Sequence, residues 1–402
     1  MDLNLSPEAQ KKLDHVKSFM HKEILPREEE FFKKLHSKED KWVVLPEMEE
    51  MKKKAKGQGL WNLFLEEDEK GPAKSCDYAP LAEAMGHSFL APEVFNCNAP
   101  DTGNMELILK YGNEKQKERW LGPLLKGETR SAFCMTEPDV ASSDATNMAA
   151  TASIEGDEVV INGRKWWSSG VGHPKLDFVI FMGVTHPEGP RHGRHSMVII
   201  PKDTPGMKIE RLLSVFGYYD EPYGHGEVTF NNVRVPLENI VGGPGRGFEM
   251  AQGRLGPGRI HHCMRLIGNS ERALSLLCQR AMKRVAFGKP LINLGGNRER
   301  IAEARIDIEQ ARLLVWKAAW MLDTVGIKGA MNEVGQIKVV APRLAQRIID
   351  FAIQIHGGGG VSGDFPLASM FTQARSLRLA DGPDEVHLGL VSRFELAKYK
   401  EG

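Results

Sequence analysis

Cysteine is scarce in this sequence: five residues, at positions 76, 97, 134, 263 and 278, with no C-x-x-C pair among them. That scatter argues against a disulfide frame or a cysteine-based zinc site and fits a reducing compartment. Net charge is absent too, because 53 Lys plus Arg balance 53 Asp plus Glu. No global field therefore points to nucleic acid or to an anionic membrane surface. Apolar runs are far too short to span a bilayer, so stable membrane insertion is not expected. The start, "MDLNLSPEAQKKLDHV", has neither a signal-peptide core nor an Arg-rich transit pattern. A leader is thus absent or already removed, and the end, "KYKEG", is no peroxisomal address. The compartment stays open: a mitochondrial or peroxisomal matrix in a eukaryote, the cytoplasm in a bacterium. His192-Gly-Arg-His195 and His261-His262 lack acid or Cys companions at ligand spacing. They read as loop and helix-surface histidines, and a metal enzyme is set aside.

What is present is an ordinary globular composition, 41% hydrophobic and 26% charged over 402 residues, enough for one large multi-layer unit or two to three subdomains. Residues 1 to about 127 read as helices. Ser6-Pro7-Glu8 is an N-cap followed by Pro and an acid in the first turn. The stretch "KWVVLPEMEEMKKKAKGQGLW" gives another helix, its Lys52-Lys53-Lys54 run a solvated face, and a later one closes at Gly127. The period then changes. "TASIEGDEVVING", "DFVIFMGV", "HSMVIIP" and "GEVTFNNVRVP" are β-branched and alternating, which predicts strands from Ser131 to about Ile240. Helices resume over 248–286, 297–325, 329–356 and 366–380, with a last one from 384. Ile301, Ala304, Ile308, Ala311 and Val315 fall at the spacing of a packed bundle.

Two local patterns carry chemistry. "SAFCMTEPDVASSDA" (131–145) opens the β region with a strand ending at Thr136-Glu137-Pro138. A strand end leaves backbone N–H donors, and Thr and Ser hydroxyls add neutral ones, which suits a flavin edge and a pyrophosphate. "INGRKWWSSG" (161–170) places a Trp just after an Asn-Gly turn, a flat apolar wall for an aromatic ring. Adjacent strand residues face opposite ways, so only one of Trp166 and Trp167 can serve.

These patterns resemble the signatures of the acyl-CoA dehydrogenase family, of the form A-[FY]-x-x-T-E-P and N-G-x-K-x-W. Departures include Ser142 where Gly is usual, and Ser168 and Gly170 in the second motif. "RVAFGKPL" (284–291) is similar to the family's R-x-x-F-G, and "QIHGGGGVSGDFPL" (354–367) to its Q-x-x-G-G-x-G. "GRLGPGRI" (253–260) puts Arg259 on the family's usual Arg near the catalytic centre, with Gly256 in place of an Asp. The resemblance covers the whole chain. It implies an α+β multidomain fold: an N-terminal helical domain (1–130), a middle β-barrel domain (131–244) and a C-terminal four-helix bundle (245–402). It also implies FAD, with Phe133, Met135, Thr136, Ser143, Trp167, Ser169, Gln354, Gly358 and Glu385 as cofactor residues. Arg284 and Phe287 would reach the FAD of a neighbouring subunit, hence a homodimer or homotetramer.

The turn "LADGPDEVH" (379–387) on its own is a turn Asp with a helix cap behind it. In the family that place holds the general base, usually a Glu. The resemblance therefore implies Asp381 as catalytic base, with Gly382 and Arg259 on the substrate. The acid is one methylene shorter than usual, and Pro383 stiffens the turn. Asp384 and Glu385 read as first-turn helix acids. The implied reaction is α,β-dehydrogenation of an acyl-CoA, with electrons passing to an electron-transferring flavoprotein. "FNCNAPDTGNMELILKYG" and "WWSSGVGHP" are most similar to the branch of family members ten and eleven. Animal forms of that branch carry a kinase-like domain ahead of the dehydrogenase, and no such segment lies in these 402 residues. Asn96, Asn98 and Asp101 would then suit an oxygenated chain, as in 4-hydroxy or 4-phospho acyl-CoAs, better than a plain alkyl one; the alternative is a helix cap or kink around Pro100, and long plain chains stay open as substrates. Two alternatives are a nitroalkane-oxidase-like flavoenzyme, which also uses an Asp base, and a non-catalytic assembly scaffold of the same fold.

Overall fold

The computed structural model describes residues 5–66 and 68–399, without the side chains of 255–257, so the Gly256 position lies outside the described residues. The chain divides into two compact units. One combines Met1–Pro26, Lys74–Pro92 and Gly256–Gly402; the other combines Arg27–Ala73 and Glu93–Leu255.

The first unit is helical. It holds α1 (Pro7–Phe19) and, after α2 (Glu28–His36) and α3 (Pro46–Gly57) of the other unit, α4 (Ser75–Met85). As read, Ser6 caps α1 by accepting the Ala9 N–H at 3.1 Å. Helices α5 (Asp101–Tyr111) and α6 (Gly247–Lys283) follow in chain order; α5 and the residues of α6 up to 255 belong to the second unit. The first unit continues with α7 (Asn297–His356), broken at Gly326, then α8 (Leu367–Ser376) and α9 (Asp384–Ala397). Ala304, Ile308, Ala311 and Val315 are buried, as their spacing predicts. Helices α4 and α6 touch backbone to backbone. A Cβ on Gly268 would stand 1.9 Å from the Glu83 carbonyl, and one on Gly86 would stand 2.1 Å from the Arg265 carbonyl. Only glycine permits that approach. Beside it Arg312 bridges Glu83 and Glu271.

The second unit is built on a seven-stranded sheet: β1 (Arg130–Cys134), β2 (Thr151–Glu155), β3 (Glu158–Ser169), β4 (Leu176–Val184), β5 (His195–Pro201), β6 (Met207–Leu213) and β7 (His225–Pro236). Its order is β1-β4-β2-β3-β7-β6, with β5 pairing β4. Val159, Ile161, Val179, Phe181, Val198 and Val228 form a core with no exposed surface. The expected solvated lysine face is corrected at Lys52 only, for Lys53 is exposed and Lys54 half-buried. Lys52 is buried and donates to Glu93 at 2.6 Å, and Glu93 also takes the Arg130 guanidinium. Arg130 in turn faces Asp101 at 3.4 Å. Among the described residues no helix is long and apolar enough to cross a membrane.

Candidate active site

The end of β1 and the middle of β3 are tied together by one buried ion pair. Lys165 has no exposed surface; it donates to the Met135 carbonyl at 2.9 Å and to Glu137 at 2.7 Å. Glu137 also accepts the N–H groups of Ala149 and Ala150, so one carboxylate fixes both ends of the loop between β1 and β2. Burial pushes the Lys165 ammonium down to about 8, against the pull of Glu137. Ser142 has a local task, accepting the Glu137 N–H at 2.9 Å. Met135 lines a small cavity with Val140, Ser142, Asp144, Ala145 and Met148, and Ser143 stands exposed on the same loop. Thr136 accepts the Trp166 N–H through its carbonyl. The Phe133 ring lies under the Arg254 guanidinium, 4.0 Å from its centroid.

Strand β3 does not alternate here. Its pairing with β7 shifts between Lys165 and Ser168, and Trp167 sits at φ 51°. Strict alternation would put Trp167 on the buried face with Lys165. The bulge instead buries Ser168 and leaves the Trp167 ring 39% exposed. The exposure of Trp167 thus comes from the bulge and not from alternation. His225, which the sequence did not single out, lies against that ring (5.9 Å between centroids) and shares a 2.8 Å hydrogen bond with Ser169.

In the helical unit Asp381 is at φ 57° and Gly382 at φ 103°. Asp tolerates the left-handed region better than most residues, and Gly does so freely. The turn is held through its carbonyls. Arg259 and His387 both reach the Asp381 carbonyl at 3.2 Å, and buried Lys338 donates to those of Leu377 (2.7 Å) and Ala380 (2.8 Å). Burial pushes Arg259 and Lys338 downward and brings the His387 imidazole to about 4. Asp384 is buried and takes Arg343 and Arg378 at 2.8–2.9 Å. Those guanidiniums outweigh its burial and hold its carboxyl below the ordinary value. Asp384 is thus a structural anchor, whereas Glu385 is exposed in the first turn of α9.

The structure brings Arg259, Asp381 and Gly382 together. It places Arg284 and Phe287 on an exposed hairpin after α6, with Phe287 at φ 50° and 96% exposed. Gln354 and Gly358 are exposed where α7 ends. Lys338 and His387 carried no motif signal, because their roles depend on carbonyls presented by a distant turn. Two readings are corrected. His195 and His261 are buried rather than at the surface, His261 with its ring 4.5 Å from Tyr78. Asn96 donates to Asn62 and Leu124, while Asp101 accepts from Ser131 and faces Arg130, so both are committed within the fold. Among the described residues no group of three His, Cys, Asp or Glu could hold a metal ion.

In the sheet-bearing unit the Trp167 ring is 39% exposed on left-handed backbone and Ser143 is exposed on the loop after β1, an aromatic face and a neutral hydroxyl of the chemistry that suits FAD. In the helical unit Arg284 and Phe287 are exposed.

Residues 6–128, 132–233 and 245–396 match the N-terminal, middle and C-terminal domains of acyl-CoA dehydrogenase. Acyl-CoA dehydrogenase family member 11 of Gallus gallus is 54% identical over 97% of this chain, which spans about half (51%) of that relative's length. FadE2 of Mycobacterium tuberculosis strain H37Rv is 53% identical over 88% of this chain and 87% of its own. A solved Mycobacterium abscessus structure named as an acyl-CoA dehydrogenase superposes with a TM-score of 0.96 at 60% identity, covering 99% of this chain and 100% of the other. The chain belongs to the acyl-CoA dehydrogenase family.

Proposed function

We propose that the chain catalyses α,β-dehydrogenation of an acyl-CoA thioester, with Asp381 as the base. Its carboxylate takes the proton α to the carbonyl, the β-carbon releases a hydride, and a double bond forms between the two carbons. Bound FAD supplies the hydride acceptor. Charge developing on the thioester oxygen is met by the Asp381 backbone N–H. Phe133, Met135, Thr136, Ser143, Trp167, Ser169, Gln354, Gly358 and Glu385 line the cofactor, and Gly382 and Arg259 border the substrate. Exposed Arg284 and Phe287 reach the FAD of a second copy in a homodimer or homotetramer, and an electron-transferring flavoprotein takes the electrons onward.

One observation carries this reading. The Asp381 turn is fixed by two donors on its own carbonyl and by Lys338 on the carbonyls of Leu377 and Ala380, which holds the backbone that carries the carboxylate. With Asn96 and Asp101 committed inside the fold, an oxygenated chain rests on the branch likeness alone, and a panel of straight-chain, 4-hydroxy and 4-phospho acyl-CoAs decides the preference. The base is tested with Asp381→Asn loaded with FAD. Activity is expected to fall at least about 10³-fold, and a variant that keeps most of its activity removes Asp381 from the role.

A further inference from the structure

The carboxylate of Asp381 has a neighbour that no motif assigns. Helix α6 presents Arg259, His262 and Arg265 at three-residue steps. Arg259 holds the Asp381 carbonyl; one turn on, the Nε2 of His262 lies 3.7 Å from Asp381 Oδ2, with both side chains 22% exposed. On the other side of the imidazole, the Arg265 guanidinium is 3.4 Å from Nδ1. A guanidinium only donates. Nδ1 must therefore be the accepting nitrogen, and the ring proton sits on Nε2, aimed at the carboxylate. The 3.7 Å gap is a few tenths of an ångström beyond a hydrogen bond, and such contacts tighten when substrate binds.

We infer that His262 is a positioning residue for Asp381: Arg265 sets its tautomer, and its Nε2–H orients the short carboxylate toward the substrate. The inference rests on the reading of Asp381 as base. It also answers the difficulty of the missing methylene, since displacing a base by roughly 1 Å costs on the order of 10²-fold in rate. An acid at the end of a shorter side chain has fewer torsions to spend, and a donor fixed on a helix selects one of them. The proton has no route through His262, because Arg265 occupies the far nitrogen as a donor. His262 therefore orients the base and does not accept the abstracted proton. Other charged or titratable groups facing the pair are Arg259, His261 and Cys263 on α6, Lys338 on α7, and Asp384 and His387 on α9. Most are cations or neutral, so a further positive charge on His262 would meet repulsion from Arg259, Arg265 and Lys338.

The test uses the FAD-loaded chain and straight-chain acyl-CoAs, comparing wild type, His262→Leu, His262→Gln and Asp381→Asn. For His262→Leu, kcat should fall on the order of 30-fold with KM within about threefold, and the acid limb of kcat/KM should move up by about one pH unit. His262→Gln, whose amide N–H reaches the same point, should recover to within about threefold of wild type. Independently of turnover, ¹⁵N spectra of the histidine rings should show one Nε2–H tautomer that changes in Asp381→Asn. A His262→Leu protein with bound flavin, unchanged kcat and an unmoved acid limb, beside an inactive Asp381→Asn, overturns the inference while leaving the base in place. Retained activity in Asp381→Asn overturns both, and an Nδ1–H tautomer overturns the orientation role.

Discussion

Glu93 in the sheet-bearing unit and Asp381 in the helical unit are both acids in cation-rich surroundings, and the fold treats them in opposite ways. Glu93 is met by the side chains of Lys52 and Arg130. Burial alone would push its carboxyl up, but the two cations pull it well below the usual carboxylate range. At the Asp381 turn, cations meet backbone carbonyls: Arg259 that of Asp381 itself, Lys338 those of Leu377 and Ala380. Three residues on, Asp384 repeats the first pattern with Arg343 and Arg378. A structural carboxylate is neutralised at its oxygens, whereas the Asp381 turn is fixed through its main chain. The Asp381 carboxylate also has the His262 imidazole beside it, 3.7 Å away.

The largest effect that probes this contrast comes from the neutralised side. Glu93→Gln leaves Lys52 and Arg130 buried without their counter-charge and should cost about 3–5 kcal/mol in denaturant unfolding. A loss under about 1 kcal/mol would mean that the network does not hold the unit together. On the other side, Lys338→Met strips donors from two carbonyls of the Asp381 turn. A stability loss of about 1–3 kcal/mol is expected, with kcat falling more than KM rises; equal effects on both would break the link between the turn and chemistry. Trp167→Ala removes a ring that packs little in the fold, so stability should stay within about 0.5 kcal/mol. FAD affinity, read by flavin fluorescence, should weaken about tenfold. The smallest effect is in pH. Burial lowers His387 in one unit and His173 in the other to about 4. Between that value and the ordinary 6.5 the unfolded chain binds more protons, so stability is full above about pH 6.5 and falls as pH drops toward 4. The loss is about 1 kcal/mol per histidine at pH 5.5. His387→Asn and His173→Asn should each flatten the melting-temperature profile over that range, and an unchanged profile would place the acid sensitivity elsewhere.

Much of this architecture is legible along the chain. The switch from helical to alternating periodicity falls near residue 130, Gly127 closes a helix at φ 73°, and a break expected between 325 and 329 is found at Gly326. Those features depend on neighbours within a few residues, which is why a local pattern reveals them. At the candidate site, the strand end before Thr136 and the turn at Asp381 were legible as local backbone features. Its supports were not. Lys52 looked solvated because the acid that buries it lies 41 residues away. The exposure of Trp167 comes from a bulge set by pairing with β7, which strict alternation within β3 could not anticipate.

The turn "LADGPDEVH" shows where the division falls. Its residues alone determined a sharp bend carrying a carboxylate, since Asp and Gly accept positive φ and Pro383 stands just before the first turn of the next helix. Only the tertiary structure decided what that carboxylate faces: Arg259 and His262 come from a helix more than a hundred residues earlier and Lys338 from another. Backbone preference is a property of adjacent residues, whereas the surroundings of a charge are set by whatever the packed helices bring beside it.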